Sequence, residues 1–97
     1  MIIGALRVEL HLPGGGTLKD KRHVVKSLLA RVINQYHIAA AEVAALDNPE
    51  RAVLGLACVS NSTAHANEVL SKAVNFIEAN VEEGFLADYQ LEILDAF

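Results

Sequence analysis

Four segments of this chain alternate or run apolar, and two others repeat their apolar positions every three or four residues. In residues 2–12, IIGALRVELHL, Leu6, Val8, Leu10 and Leu12 point one way and Arg7, Glu9 and His11 the other. That period of two predicts a strand with one face on a core. Pro13-Gly14-Gly15-Gly16 ends it, because proline cannot extend a ladder and glycine permits a tight change of direction. Thr17–Tyr36, TLKDKRHVVKSLLARVINQY, then reads as an amphipathic helix. Thr17 is its expected N-cap and Asp20 closes a capping box, while Leu18, Val25, Leu28, Leu29, Val32 and Tyr36 form the buried face. His37–Val43 is short and alanine-rich and reads as a second strand, with its inward side left open because alanine suits either face. After the turn Asp47-Asn48-Pro49-Glu50 comes Ala52–Ser60, AVLGLACVS, apolar enough for a central strand. Ser60-Asn61-Ser62-Thr63 supplies caps for a second helix whose apolar positions are Ala66, Val69, Leu70, Ala73, Val74 and Ile77. Glu82-Glu83-Gly84 breaks that helix. The last strand, Leu86–Leu94, sets Tyr89, Leu91 and Ile93 against Asp88, Gln90 and Glu92.

The predicted order is β-α-β-β-α-β over a single domain, residues 1–97. Right-handed crossovers in both halves make this an α+β, ferredoxin-like sandwich: a four-stranded antiparallel sheet with both helices on one face. The first and third strands are then central, and the third strand turns an apolar side away from the helices. A homodimer joined through the open sheet face is the expected remedy.

Composition sharpens that expectation. The chain is 53% hydrophobic and 21% charged in 97 residues, a large apolar content for so small an interior. The formal net charge is −4, unevenly spread. Residues 1–41 carry six basic and two acidic side chains, and residues 42–97 carry two basic and ten acidic ones. A single cysteine, Cys58, lies inside an apolar run and reads as a core thiol in a reducing compartment. Arg7 and Glu9 interrupt the first apolar run before a signal h-region forms, and no stretch has the length of a membrane-spanning helix. A soluble, cytoplasmic protein without membrane attachment is expected.

Three blocks resemble the YlxP-like family, a small bacterial family of unassigned activity. They are IIGALRVELHLPGGGTLKDKR, VVKSLLARVINQYHIAAAEV and VSNSTAHANEVLSKAVNFIE, with the Leu18–Arg22 run LKDKR and the tripeptide Val59-Ser60-Asn61 the most specific parts. The resemblance covers about residues 2–80 and implies a ferredoxin-like fold. Family members are often encoded beside translation-initiation and ribosome-maturation factors, which implies a ribosome-associated role. The resemblance brings no catalytic residues. The Gly14-Gly15-Gly16 triplet is more glycine-rich than the family's usual turn.

The candidate chemistry lies at the start of the first helix. On a wheel of 100° per residue, Lys19, Arg22 and Lys26 fall within about 60° of one another. With Lys21, and with Gly14, Gly15 and Gly16 letting an anion approach the backbone, they form a candidate anion- or RNA-binding site at a helix N-terminus. The bland reading is a solvated basic face paired with acids from residues 42–97. GGGTLKDK lacks P-loop spacing. RNA-recognition motifs share this topology but stack bases on aromatics of the first and third strands, where this chain has no Phe, Tyr or Trp. RNA contact would therefore run through backbone charge, with no DNA sequence specificity. The four histidines, His11, His23, His37 and His65, lack ligand spacing, so neither a metal nor another cofactor is expected. Ser60, Ser62 and His65 fit a cap better than a nucleophile and base, and the arginine-bearing loop of acylphosphatases does not occur in residues 11–22. No catalytic residue emerges. The leading expectation is a non-enzymatic accessory protein that meets the ribosome or RNA. The alternative is a small-ligand-sensing or scaffold module holding an anionic metabolite at Gly14–Lys21 or in a dimer groove.

Overall fold

The structure is a computed structural model describing residues 1–14 and 16–97. Its elements are β1 (Ile2–His11), α1 (Leu18–Tyr36), β2 (Ala39–Ala44), β3 (Arg51–Ser60), α2 (Thr63–Asn80) and β4 (Phe85–Asp95). The strands pair antiparallel throughout in the order β2-β3-β1-β4, so β1 and β3 are central and β2 and β4 form the edges. This is the ferredoxin-like sandwich that the element order implies.

The core forms where the period-two faces of the strands meet the period-3.6 faces of the helices. Leu6, Val8 and Leu10 of β1 and Ala52, Leu54 and Leu56 of β3 pack against Val25, Leu28 and Val32 of α1 and Leu70, Ala73, Val74 and Ile77 of α2. Both helices begin on the expected caps. Thr17 Oγ1 accepts from Asp20 N at 3.2 Å while Thr17 N donates to Asp20 Oδ2 at 2.9 Å, a complete capping box. Ser62 Oγ accepts from His65 N at 3.2 Å.

Two strands, β2 and β4, differ in detail from the sequence expectation. His37 does not open β2: it takes a left-handed conformation (φ 54°) and caps α1 through its N–H to the Ile33 carbonyl, so the strand starts at Ala39. Ala40 and Glu42 face the helices, and a bulge at Val43 breaks the register between Glu42 and Ala44. Val43 instead packs over Gly55. In β4 a second bulge leaves Ala87 without a partner between the pairs Glu9–Asp88 and Leu10–Leu86.

The outward face of β3 is less bare than its sequence suggests. Val53 has no exposed surface, and the Glu9–Arg51 ion pair crosses the same face between the two central strands. Exposed apolar surface gathers at the other end, where Leu94, Ile3 and Val59 form one row across β4, β1 and β3. Val59 is 69% exposed and Leu94 49%. Among the described residues, no helix is long and apolar enough to cross a membrane.

Candidate nucleic-acid interface

The first two turns of α1 hold four of the cations in question, and the structure sorts them into two groups. Lys21 is buried, because position 21 continues the inward series Val25, Leu28 and Val32. Its ammonium reaches past the sheet edge and donates to Glu42 Oε2 at 2.8 Å, Ala45 O at 2.9 Å, Leu46 O at 3.2 Å and Arg51 O at 3.3 Å. One salt bridge and three carbonyls thus tie α1 to β2 and to the β2–β3 turn. A charge so far from water persists only with such a complete set of acceptors. Lys21 therefore leaves the candidate anion surface: its Nζ has no face toward solvent.

Lys19, Arg22 and Lys26 are exposed, and among the described residues none makes an ion pair or a side-chain hydrogen bond. They line a broad, shallow groove with Gly16, Asp20, His23, Val24 and Glu83. His23 is the member that sequence reasoning passed over. It stands four residues after Lys19 and three before Lys26, so it extends the same helix face, and that spacing was the available signal. Arg31 lies elsewhere: it donates to Asn80 Oδ1 at 2.8 Å and sits 5.4 Å from the Phe76 ring centre.

The glycine turn serves the helix cap. A β-carbon at Gly16 would collide with the Asp20 carboxylate, so glycine here makes room for the capping box. That carboxylate already takes the place at the helix N-terminus that an incoming anion would occupy. Gly14 adopts the left-handed conformation (φ 67°) that suits glycine. Gly15 lies outside the described residues. The cavity beside the turn, bounded by Leu12, Asp20, Lys21 and Pro49 and by Glu82 and Glu83, measures about 20 Å³ and is acidic. That is room for about one water molecule. That cavity has neither the volume nor the charge for an anion, and the space for one beside the turn is the open groove of Lys19, Arg22 and Lys26.

One other polar pair has the outline of chemistry. Ser60 Oγ lies 3.2 Å from His65 Nδ1, but the same hydroxyl accepts from Ser62 N at 3.0 Å and belongs to the turn that starts α2.

The fold is shared with a protein of unrelated sequence. The chain matches a solution structure of a de novo designed protein with a ferredoxin fold at a TM-score of 0.57 and 13% identity, covering 97% of this chain and 84% of that one. At that identity the likeness concerns architecture alone. In sequence, the chain is 32% identical over 78 residues to the uncharacterized protein YlxP of Bacillus subtilis (strain 168), spanning 80% of this chain and 85% of the relative. Residues 3–90 match the profile of DUF503, described as a protein of unknown function. The protein whose fold and basic ridge are described above belongs to the DUF503 family.

Proposed function

We propose that this protein is a non-enzymatic, cytoplasmic accessory module that docks on the phosphate backbone of structured RNA, with the ribosome as the platform. One observation carries the reading: a protein of net charge −4 keeps Lys19, Arg22 and Lys26 on one exposed face of α1 without acidic partners among the described residues. Unpaired cations on a common face are the electrostatic footprint of polyanion binding. His23 lies on the same face, while Asp20 and Glu83 at its border temper its field. The open sheet face offers no Phe, Tyr or Trp on β1 or β3 for base stacking, so the contact is one of charge and shape.

Binding to ribosomal particles or structured RNA at several salt concentrations tests this. Three phosphate contacts give a log–log slope of about −2 to −3. A Lys19→Ala/Arg22→Ala/Lys26→Ala variant should lose most of that slope. Binding that survives the triple substitution unchanged would rule out this face.

The same proposal includes a homodimer through the open sheet face. The Leu94–Ile3–Val59 row, beside the small side chains of Ala5 and Ala57, supports it, since exposed apolar rows of this kind are usually covered. Light scattering at micromolar concentration should report a dimer, and Val59→Glu should return it to a monomer.

A further inference from the structure

The two edges of the sheet are protected very differently. β4 carries Asp88, Glu92 and Asp95 and is kinked by its bulge, devices that discourage another strand from pairing with it. β2 reads Ala39-Ala40-Ala41-Glu42-Val43-Ala44, and its single charge, Glu42, is turned inward and held by Lys21. Its bulge lies at Val43, leaving Ala39–Glu42 regular and free of both charge and proline along the outer edge. Beside that edge runs a groove of about 510 Å³, lined by Val25, Leu29, Ala30 and Ile33 of α1. Ile33 is 39% exposed in it. At the Glu42 end the rim is formed by Arg22 and Lys26, which have no acidic partner among the described residues.

From this juxtaposition we infer that β2 and the flank of α1 form a docking site for an extended protein segment that adds as a fifth strand to the sheet. The segment is acidic where it passes Arg22 and Lys26 and apolar where it passes Leu29 and Ile33. The backbone of Ala39–Glu42 supplies hydrogen bonds that are indifferent to sequence, and alternate side chains enter the groove. Charge supplies the choice of partner. A second copy of this chain pairing β2 to β2 brings Glu42 as the only acid of that strand, and Lys21 already holds it. Such a dimer leaves Arg22 and Lys26 of both copies unmatched, whereas an acidic segment neutralises them. The inference goes beyond the RNA reading and does not rest on it: Lys19 belongs only to the RNA-facing groove, and Leu29 and Ile33 only to this one.

Selection of random displayed dodecapeptides on the wild-type protein, with counter-selection on an Ile33→Asp variant, tests it. The expected enrichment is for short segments alternating apolar residues, with Asp or Glu clustered at one end. The best synthetic peptide should slow amide hydrogen exchange at Ala39–Glu42. It should bind about tenfold or more weakly to Ile33→Asp and to Arg22→Glu/Lys26→Glu, and unchanged to Lys19→Ala. RNA binding should show the converse, falling in Lys19→Ala and holding in Ile33→Asp, so the two readings fail separately. The inference is overturned by failure to enrich any peptide, by enrichment of basic or non-alternating peptides, or by protection that appears away from β2. Concentration-dependent self-association that Ile33→Asp abolishes would place a second copy in the groove and equally overturn it.

Discussion

Lys21 and its neighbours Lys19, Arg22 and Lys26 stand within two turns of one helix and play opposite parts. Lys21 is on the face that looks at the sheet, its ammonium enclosed by Glu42 and three carbonyl oxygens. The others look at solvent with their charges unanswered. The difference teaches that a lysine's role follows its angular position on the helix rather than its place in a basic run. Two residues round the cylinder turn a cation from a free charge into a tie-rod.

The largest test of that contrast is Lys21→Ala. It strips the partner from a largely buried Glu42 and leaves three carbonyls without their donor, so the protein should lose about 3 kcal/mol of stability in urea unfolding. Paired replacement, Lys21→Met with Glu42→Leu, removes both charges and should recover part of that loss. Recovery stays incomplete because the Ala45, Leu46 and Arg51 carbonyls still lack a donor. A double-mutant cycle reads the coupling between the two residues directly.

Thr17→Ala comes next. Without the hydroxyl the capping box opens, at a cost of about 1 kcal/mol in the same assay. Removing the exposed cations is expected to matter least to stability: the Lys19/Arg22/Lys26 triple alanine variant should unfold within about 0.5 kcal/mol of wild type. A large destabilisation there would show that the exposed cations also hold the fold, and the contrast with Lys21 would fail.

The sheet's open face supplies a test in pH. The Arg51 guanidinium, by its hydrogen bond to Glu9, holds that carboxyl below its ordinary range; desolvation opposes this, and the charges of Arg51, His11 and Arg7 each add a smaller lowering effect. A carboxyl whose pKa falls on folding stabilises the protein above its unfolded value and stops doing so as acid protonates the folded form. The stability difference between wild type and Arg51→Gln should therefore be present at neutral pH and shrink below about pH 4. A gap that stays constant across the acid range would mean the pair contributes through packing alone.

The elements themselves were plain in the sequence where side chains have a strong preference. β1 alternates without exception from Leu6 to Leu12, and the Thr17–Asp20 box marks the start of α1 to the residue. The same pattern contained Lys21 as the first step of the series 21, 25, 28 and 32, but a lysine among leucines and valines is read as surface unless an acceptor for it is known. Glu42, that acceptor, sits 21 residues away in a strand whose alanines give no period. The glycine turn suggests backbone open to an anion; in the folded protein Asp20 fills that space.

From its amino acids alone this chain sets two helices, four strands, their antiparallel order and a concentration of positive charge on α1, because periodicity and capping act over a few neighbouring residues. Which cations stay free, which strand edge lies unguarded and where the apolar row of the sheet meets solvent were decided by the tertiary structure. Those outcomes depend on pairs brought together from distant parts of the chain, such as Lys21 with Glu42 and Ile3 with Val59 and Leu94. No local pattern encodes the distance between them.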